Sequence, residues 1–252
     1  MTTLHCPAKL NLYLAILEKD ETGYHKLDTI FARLPEAAQA PDLLHIEPAD
    51  KLEIKFIPTD SIDPANNTLT KALSLLEGKT SRRFSYKITL EKHIPIQSGL
   101  GGGSSDAATL LLHLNQAENL GLTQAELMEL GTQIGKDAPF FLSGFQVSRG
   151  AKYGDQLTPL PSLPASLQIK IEADFAPTST AEAFADWDGK PHKKAPSIEP
   201  LLAALHTQNP SAILAALHND FEPVQIISNS PRRVRILAGS GGAHAVFCVV
   251  DN

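Results

Sequence analysis

Apolar and polar side chains alternate along several stretches of the chain, and this period of two residues predicts β-strands. The earliest stretch begins at Leu4 and continues to Ile16. Two more alternating stretches cover residues 52–56 and 84–90. Further strands are predicted near the end of the chain, over residues 167–173, 233–238 and 243–250.

Between these strands, apolar residues recur at the spacing of an α-helix. Residues 69–76 carry it behind the cap candidates Asn66 and Asn67. Thr123 and Glu126 form a capping-box pattern that opens a helix to about residue 134. The remaining helices are predicted over residues 106–117, 179–187, 198–206 and 211–219.

This mixture of strands and helices predicts an α+β protein. A proline-rich stretch with Pro159, Pro161 and Pro164 indicates a domain boundary or a crossing between domains. We therefore expect two domains, residues 1–157 and residues 158–252.

Composition narrows the classes of function. The net charge of −6 argues against a broad basic surface, so we expect no nucleic-acid or membrane partner. Cys6 and Cys248 are the only cysteines and have no paired spacing, which fits a reducing compartment. The sequence has neither a run of 18 apolar residues nor a signal-peptide pattern. We expect a cytoplasmic protein.

The most informative motif is a glycine-rich run that leads into a helix. Glycines let the backbone approach an anion, and the N–H groups and dipole of the following helix attract it. The run lacks the lysine of a P-loop, and Ser104 takes the third glycine position of the dinucleotide fingerprint. The alternative is a helix-capping loop without a ligand. The run reads Pro95-Ile96-Gln97-Ser98-Gly99-Leu100-Gly101-Gly102-Gly103-Ser104-Ser105.

Two charged residues stand in unusual places. Lys9 lies at the entrance to the first strand, and Asp137 lies just past a helix end, before the apolar residues 138–141. The alternative is that neither residue takes part in chemistry. Lys9 would then be an exposed lysine beside a strand, and Asp137 would be a turn or helix-terminus aspartate.

Together these segments resemble the GHMP kinases, the superfamily of galactokinase, homoserine kinase and mevalonate kinase. That superfamily has a Pro-X-Lys-X-Asn strand motif, a phosphate loop containing Gly-Leu-Gly, and a glycine-rich third motif near the C-terminus. Here they correspond to Pro7-Ala8-Lys9-Leu10-Asn11, to residues 95–105 and to Ala238-Gly239-Ser240-Gly241-Gly242.

The resemblance implies a two-lobed GHMP kinase fold, with an N-terminal ribosomal-protein-S5-domain-2-like lobe and a C-terminal ferredoxin-like lobe. It implies that residues 95–105 bind ATP and that Asp137 is either the base for a substrate hydroxyl or the carboxylate that orients this hydroxyl. Lys9 would keep Asp137 ionised, because a nearby cation lowers a carboxyl pKa. Mg²⁺ should accompany ATP, and we assign it no protein ligand.

Within the superfamily, three segments resemble the branch that phosphorylates a cytidine diphosphate derivative of a branched sugar alcohol. These are Gly23-Tyr24-His25, residues 178–184 and residues 219–223. The resemblance implies a substrate site that contains Asn11, Tyr24, His25 and Phe184. The ordinary alternatives are that Tyr24 and Phe184 are core aromatics and that His25 is a solvated turn residue.

Two other functions stay open at this point: a homoserine- or mevalonate-type kinase, and a nucleotide-binding homologue impaired in catalysis. The stretch after Pro223 is shorter than in the superfamily, which predicts a shortened C-terminal domain. Whether the third motif still supports the phosphate loop is therefore also open. We expect a monomer or a weak homodimer.

Overall fold

The computed structural model describes residues 1–58, 62–172, 176–229 and 232–250. Its strands are β1 (Thr2–Cys6), β2 (Lys9–Lys19), β3 (His25–Arg33), β4 (Asp42–Pro48), β5 (Glu53–Ile57), β6 (Tyr86–Glu91), β7 (Val147–Ala151), β8 (Gln156–Leu160), β9 (Leu167–Ile171), β10 (His218–Asn219), β11 (Gln225–Asn229), β12 (Arg232–Leu237) and β13 (His244–Val249). Its helices are α1 (Thr68–Thr80), α2 (Gly102–Ala117), α3 (Gln124–Ile134), α4 (Ala138–Ser143), α5 (Thr180–Asp188), α6 (Glu199–His206) and α7 (Pro210–Ala216). The predicted α+β class is confirmed.

The chain forms two compact units that are interleaved along the sequence. The first unit comprises residues 1–8, 101–144 and the described residues of 40–95. The second comprises residues 9–39, 96–100 and the described residues from 145 onward. The predicted domains, residues 1–157 and 158–252, follow a different division and stay a prediction.

The first unit contains a four-stranded sheet in the order β1-β4-β6-β5. The pair β5 and β6 is parallel, and the other neighbours are antiparallel. Helix α2 packs on β1 and β4 and against α1 and α4. Its buried face carries Leu110, Leu111 and Leu114 and closes this hydrophobic core.

The second unit contains two sheets. One has the order β10-β2-β3-β7-β8, and the other has the antiparallel order β11-β12-β13-β9. All residues from Lys9 to Ile16 of β2 are buried, so this strand is covered on both faces. Its neighbours are β3 in antiparallel and the two-residue strand β10 in parallel.

Local signals predicted several helix starts correctly. The Asn67 side chain accepts a hydrogen bond from Thr70 N and caps α1, as predicted. The predicted capping box of Thr123 and Glu126 begins α3. Helix α2 begins at Gly102, four residues before its predicted start, because its first turn is built of glycines and serines that carry no apolar period.

One helix prediction was wrong at its end. The helix expected to end at residue 219 ends at Ala216, because His218 and Asn219 pair with β2 instead. Pro159 of the proline-rich stretch lies within β8. Strand β8 is an edge strand, where a residue without an N–H group is tolerated. The predicted strand over residues 167–173 ends at Ile171, and residue 173 lies outside the described residues.

Among the described residues, no helix combines the length and the apolar character that a membrane crossing requires.

Replacement of Thr123 tests whether its side chain stabilises the start of α3. Thr123→Ala is expected to lower the free energy of unfolding by about 1 kcal/mol, because Glu126 N loses its acceptor. Urea denaturation followed by circular dichroism measures the change. Gln133→Ala, at an exposed position of the same helix, is the control and should stay within about 0.5 kcal/mol of the parent. Equal effects of the two changes would contradict the capping role.

Candidate active site

The central part of the glycine-rich loop is held through its backbone. Ala243 N donates to Ser98 O at 3.0 Å, and Gly242 N donates to Gln97 O at 3.3 Å. Gln97 takes a left-handed conformation with φ of 57°, which an ordinary side chain adopts only at a cost. These bonds fix the loop to the third glycine motif within the second unit. The third motif therefore supports the loop, which the sequence had left open.

Gly99 and Gly241 approach each other too closely for any side chain. A Cβ atom on Gly99 would lie 2.7 Å from Gly241 N, and one on Gly241 would lie 2.1 Å from Gly99 N. Gly99 also has a φ of 81°, which favours glycine. Because the opposing atoms belong to the backbone, they cannot rotate away. Both positions therefore require glycine.

Asn219 holds the third motif in place, and the sequence predicted no such role for it, although it lies in the segment 219–223 that carries the resemblance. Its side-chain amide donates to Leu237 O at 2.9 Å and to Gly239 O at 3.0 Å. The residue is buried, with 2% of its surface exposed. Its place in the segment 219–223 was the available signal.

The remainder of the loop begins α2 in the first unit. Gly101 precedes the helix with a φ of 74° and supplies no side-chain cap. Ser105 is fully buried, and its hydroxyl has no hydrogen-bond partner among the described residues. A helix start without a side-chain cap presents N–H donors, which suits an anion.

Lys9 is the first residue of β2 and is 3% exposed, so the alternative of an exposed lysine is wrong. Its ammonium donates to Asn11 Oδ1 at 2.9 Å, and Asn11 Nδ2 donates to Thr29 Oγ1 at 2.6 Å. The ammonium also lies 5.4 Å from the centre of the Phe31 ring. Lys9 N donates to Leu100 O at 2.9 Å, which ties this lysine to the glycine loop. The structure therefore places Lys9, Asn11 and the loop together.

Asp137 lies in the first unit, at the residue before α4. It therefore stands at a helix terminus, as the ordinary alternative expects, but its side chain makes no capping hydrogen bond to that helix. The four residues that follow, 138–141, are buried, and they anchor the half-buried Asp137 to the core of the unit.

His25 and Phe184 also come together, in the second unit. Their rings stack with centroids 5.6 Å apart, and Trp187 meets the His25 ring edge-on at 5.2 Å. His25 Nε2 lies 2.8 Å from Asp188 Oδ1, and Nδ1 lies 2.7 Å from Leu17 O. The His25 side chain is 9% exposed, so it is not a solvated turn residue.

Asp188 links this aromatic group to the charged surface. Hydrogen bonds from Lys19 and His25 hold the pKa of the Asp188 carboxyl below its usual range. A cavity of about 760 Å³ lies beside the group and is lined in part by Tyr13, His25, Trp187 and Pro196. That volume suits a nucleoside-sized ligand.

Tyr24 is separate from the stacked pair. It is 63% exposed, so it is not a core aromatic, and its ring meets Tyr153 edge-on with centroids 6.4 Å apart. Phe184 is half-buried on α5 and also meets Phe221 edge-on at 5.0 Å.

The contact between the two glycine motifs generates a stability prediction. Gly241→Ala is expected to lower the free energy of unfolding by about 1–3 kcal/mol, because the new methyl group overlaps the backbone of Gly99. Gly189→Ala is the control in the same unit, since its Cβ would lie 3.6 Å from the nearest atom. Thermal denaturation compares the two variants. An unfolding temperature of Gly241→Ala equal to that of the control would contradict the close contact.

Comparison with known proteins gives a consistent assignment. Residues 67–145 match the family described as GHMP kinases N terminal domain. A 4-diphosphocytidyl-2-C-methyl-D-erythritol kinase from Carboxydothermus hydrogenoformans is 35% identical over 207 residues, which cover 82% of this chain and 70% of the relative. The enzyme of that name from Moorella thermoacetica is 33% identical over 259 residues and covers 98% of this chain and 86% of its own.

Comparison with solved structures leads to the same family. The crystal structure of a 4-(cytidine 5'-diphospho)-2C-methyl-D-erythritol kinase matches with a TM-score of 0.72 at 26% identity, covering 97% of this chain and 89% of that one. The predicted GHMP kinase fold is therefore confirmed. With this identity over most of both sequences, the chain belongs to the 4-diphosphocytidyl-2-C-methyl-D-erythritol kinase family and is a GHMP-type small-molecule kinase that uses ATP.

Proposed function

We propose that the chain transfers the γ-phosphoryl group of ATP to the 2-hydroxyl of 4-diphosphocytidyl-2-C-methyl-D-erythritol, a step of non-mevalonate isoprenoid precursor synthesis. The family supports this substrate. The observation that carries the mechanism is the hydrogen bond from Lys9 N to Leu100 O, at 2.9 Å. It joins the lysine proposed for catalysis to the loop proposed for ATP.

Residues 95–105 bind the triphosphate of ATP in this proposal. Gln97 and Gly99 have positive φ values, and the backbone bonds to residues 242–243 keep this shape without a ligand. A loop fixed before binding loses little conformational entropy when the phosphates arrive. The start of α2 adds N–H donors and the positive end of its dipole.

Mg²⁺ enters with ATP. Over the described ranges, no group of three or more His, Cys, Asp or Glu side chains is placed to hold a metal ion. In proteins, Mg²⁺ is usually carried by substrate phosphates and water with few protein carboxylates. When bound, the ion neutralises negative charge on the phosphates.

In this proposal, Asp137 and Lys9 act on the substrate hydroxyl that attacks the γ-phosphorus. A bond forms between the hydroxyl oxygen and the γ-phosphorus, the bond to the β–γ bridging oxygen breaks, and ADP leaves. The hydroxyl proton passes to the Asp137 carboxylate. Lys9, oriented by Asn11, supplies positive charge that polarises the hydroxyl. Phosphoryl transfer depends mainly on such positioning and charge stabilisation.

Tyr24, His25 and Phe184 form the cytidine site in this proposal, together with Asn11 for the rest of the substrate. The stacked aromatic pair and the adjacent cavity suit a pyrimidine ring. Both nitrogens of His25 face acceptor oxygens, Leu17 O and Asp188 Oδ1. A pyrimidine base that hydrogen-bonds to His25 must therefore replace one of these two partners.

An assay of ADP release tests the reaction. The wild-type enzyme is expected to release ADP with the cytidine substrate and not with mevalonate or homoserine. Asp137→Ala should lower kcat by about 10²–10⁴-fold, because the proton acceptor is lost. Asp50→Ala, an exposed position in the same unit, is the control and should keep the wild-type rate. Release of ADP with mevalonate or homoserine alone would favour another GHMP kinase, and ATP binding without turnover would indicate an impaired homologue.

The cytidine site generates a second kinetic prediction. Phe184→Leu keeps an apolar side chain but removes the aromatic face, so the KM for the cytidine substrate should rise about tenfold. Phe184→Tyr keeps the face and should restore most of the affinity. The KM for ATP should stay the same in both variants, and an equal rise in the two KM values would contradict a role in base binding.

A further inference from the structure

A buried ion cluster lies beside the start of α2, in the first unit. It consists of Asp42, Lys92 and Asp106, whose side chains are 0%, 7% and 1% exposed. The Lys92 ammonium lies 2.9 Å from Asp106 Oδ2 and is also paired with Asp42 Oδ2. One lysine therefore bridges two carboxylates that would otherwise repel each other.

Asp42 is fixed by the backbone as well as by the lysine. Its Oδ1 accepts hydrogen bonds from His93 N at 2.6 Å and from Ile94 N at 2.7 Å. These two residues connect the end of β6 to the glycine-rich loop. The first residue of β4 thus determines where this connection runs.

Asp106 extends the cluster to the helix. It is the fifth residue of α2 and directly follows Ser105. A Cβ atom on Gly102 would lie 3.2 Å from the Lys92 ammonium, so the lysine sits against the first residue of the helix. Lys92 therefore joins three elements, namely β4, the end of β6 and the first turns of α2.

Part of the cluster is left without partners. Asp106 Oδ1 and Ser105 Oγ are buried and have no hydrogen-bond partner among the described residues. Burial raises the pKa of the Asp106 carboxyl above its usual range, although Lys92 opposes the rise. Cys6 on β1 also faces Asp106, and burial raises the pKa of its thiol.

Stability alone does not account for three buried ionisable groups. Removing such groups from water is costly, and apolar residues of similar size often stabilise a fold equally well. What a lysine between two carboxylates does provide is a defined geometry, since its donors must meet acceptors in fixed directions. The element placed by this geometry is the helix start that carries Ser104 and Ser105.

We propose that Lys92, held between Asp42 and Asp106, is a positioning residue that sets the start of α2 for ATP binding. This inference rests on the proposed function in one respect, that residues 95–105 bind ATP. It does not depend on the identity of the alcohol substrate.

The test compares Lys92→Met with Lys87→Met. Lys87 bridges the same two strands through Glu47 but is 41% exposed, which makes it a matched control. Lys92→Met is expected to raise the KM for ATP about tenfold, while kcat and the KM for the cytidine substrate change less than about threefold. Lys87→Met should behave as wild type. A folded Lys92→Met enzyme with the wild-type KM for ATP would overturn the proposal.

A second pair of variants covers the case in which Lys92→Met does not fold. Asp106→Asn keeps an acceptor for the lysine, whereas Asp106→Leu has a similar size and none. The leucine variant should weaken ATP binding about tenfold and the asparagine variant by less than about threefold. Equal binding by these two variants would overturn the proposal.

Binding of a non-hydrolysable ATP analogue, measured by calorimetry, separates this inference from the proposed reaction. If the wild-type enzyme binds the analogue but does not phosphorylate the cytidine substrate, the proposed reaction fails and the analogue still ranks the Lys92 and Asp106 variants. If the wild-type enzyme does not bind the analogue, the positioning role is overturned as well.

Discussion

The backbone contact between the glycine-rich loop and the third glycine motif is the constraint on which the site depends. Residues 97–99 lie directly against residues 239–243, and neither Gly99 nor Gly241 has room for a side chain. The contact fixes a loop whose residues take left-handed conformations that an isolated peptide would rarely hold. A phosphate site built from backbone N–H groups needs this rigidity, because the donors act only if their directions are set before the ligand binds.

The same contact organises the neighbouring chemistry in the second unit. Leu100, at the end of the braced segment, accepts a hydrogen bond from Lys9, whose ammonium is oriented by Asn11. Ala238, at the start of the third motif, accepts from Asn11 N. Strand β2 therefore connects the lysine to both glycine motifs through backbone atoms, and in the first unit the Lys92 cluster fixes the helix start in a comparable way.

The sequence predicted what depends on neighbours along the chain. The caps at Asn67 and Thr123 were found because a cap and its helix lie within a few residues. The motif resemblance also identified Lys9, Asp137 and the loop, although their roles stay predictions. Contacts between distant residues left no local pattern: Lys92 and Asp42 are separated by 50 residues, and Asn219 lies 20 residues from Gly239. The exposure of single side chains could not be predicted either. Tyr24 and Phe184 are both aromatic residues of the proposed site, but Tyr24 is exposed and Phe184 is half-buried.

Hydrogen–deuterium exchange shows whether the loop held by the third glycine motif is the triphosphate site. Amide exchange would be followed peptide by peptide with and without a non-hydrolysable ATP analogue. We expect slower exchange of residues 97–100 and 239–243 together when the analogue binds, because a ligand on the loop also stabilises the motif that holds the loop. Binding that slows exchange elsewhere and leaves both segments unchanged would contradict it.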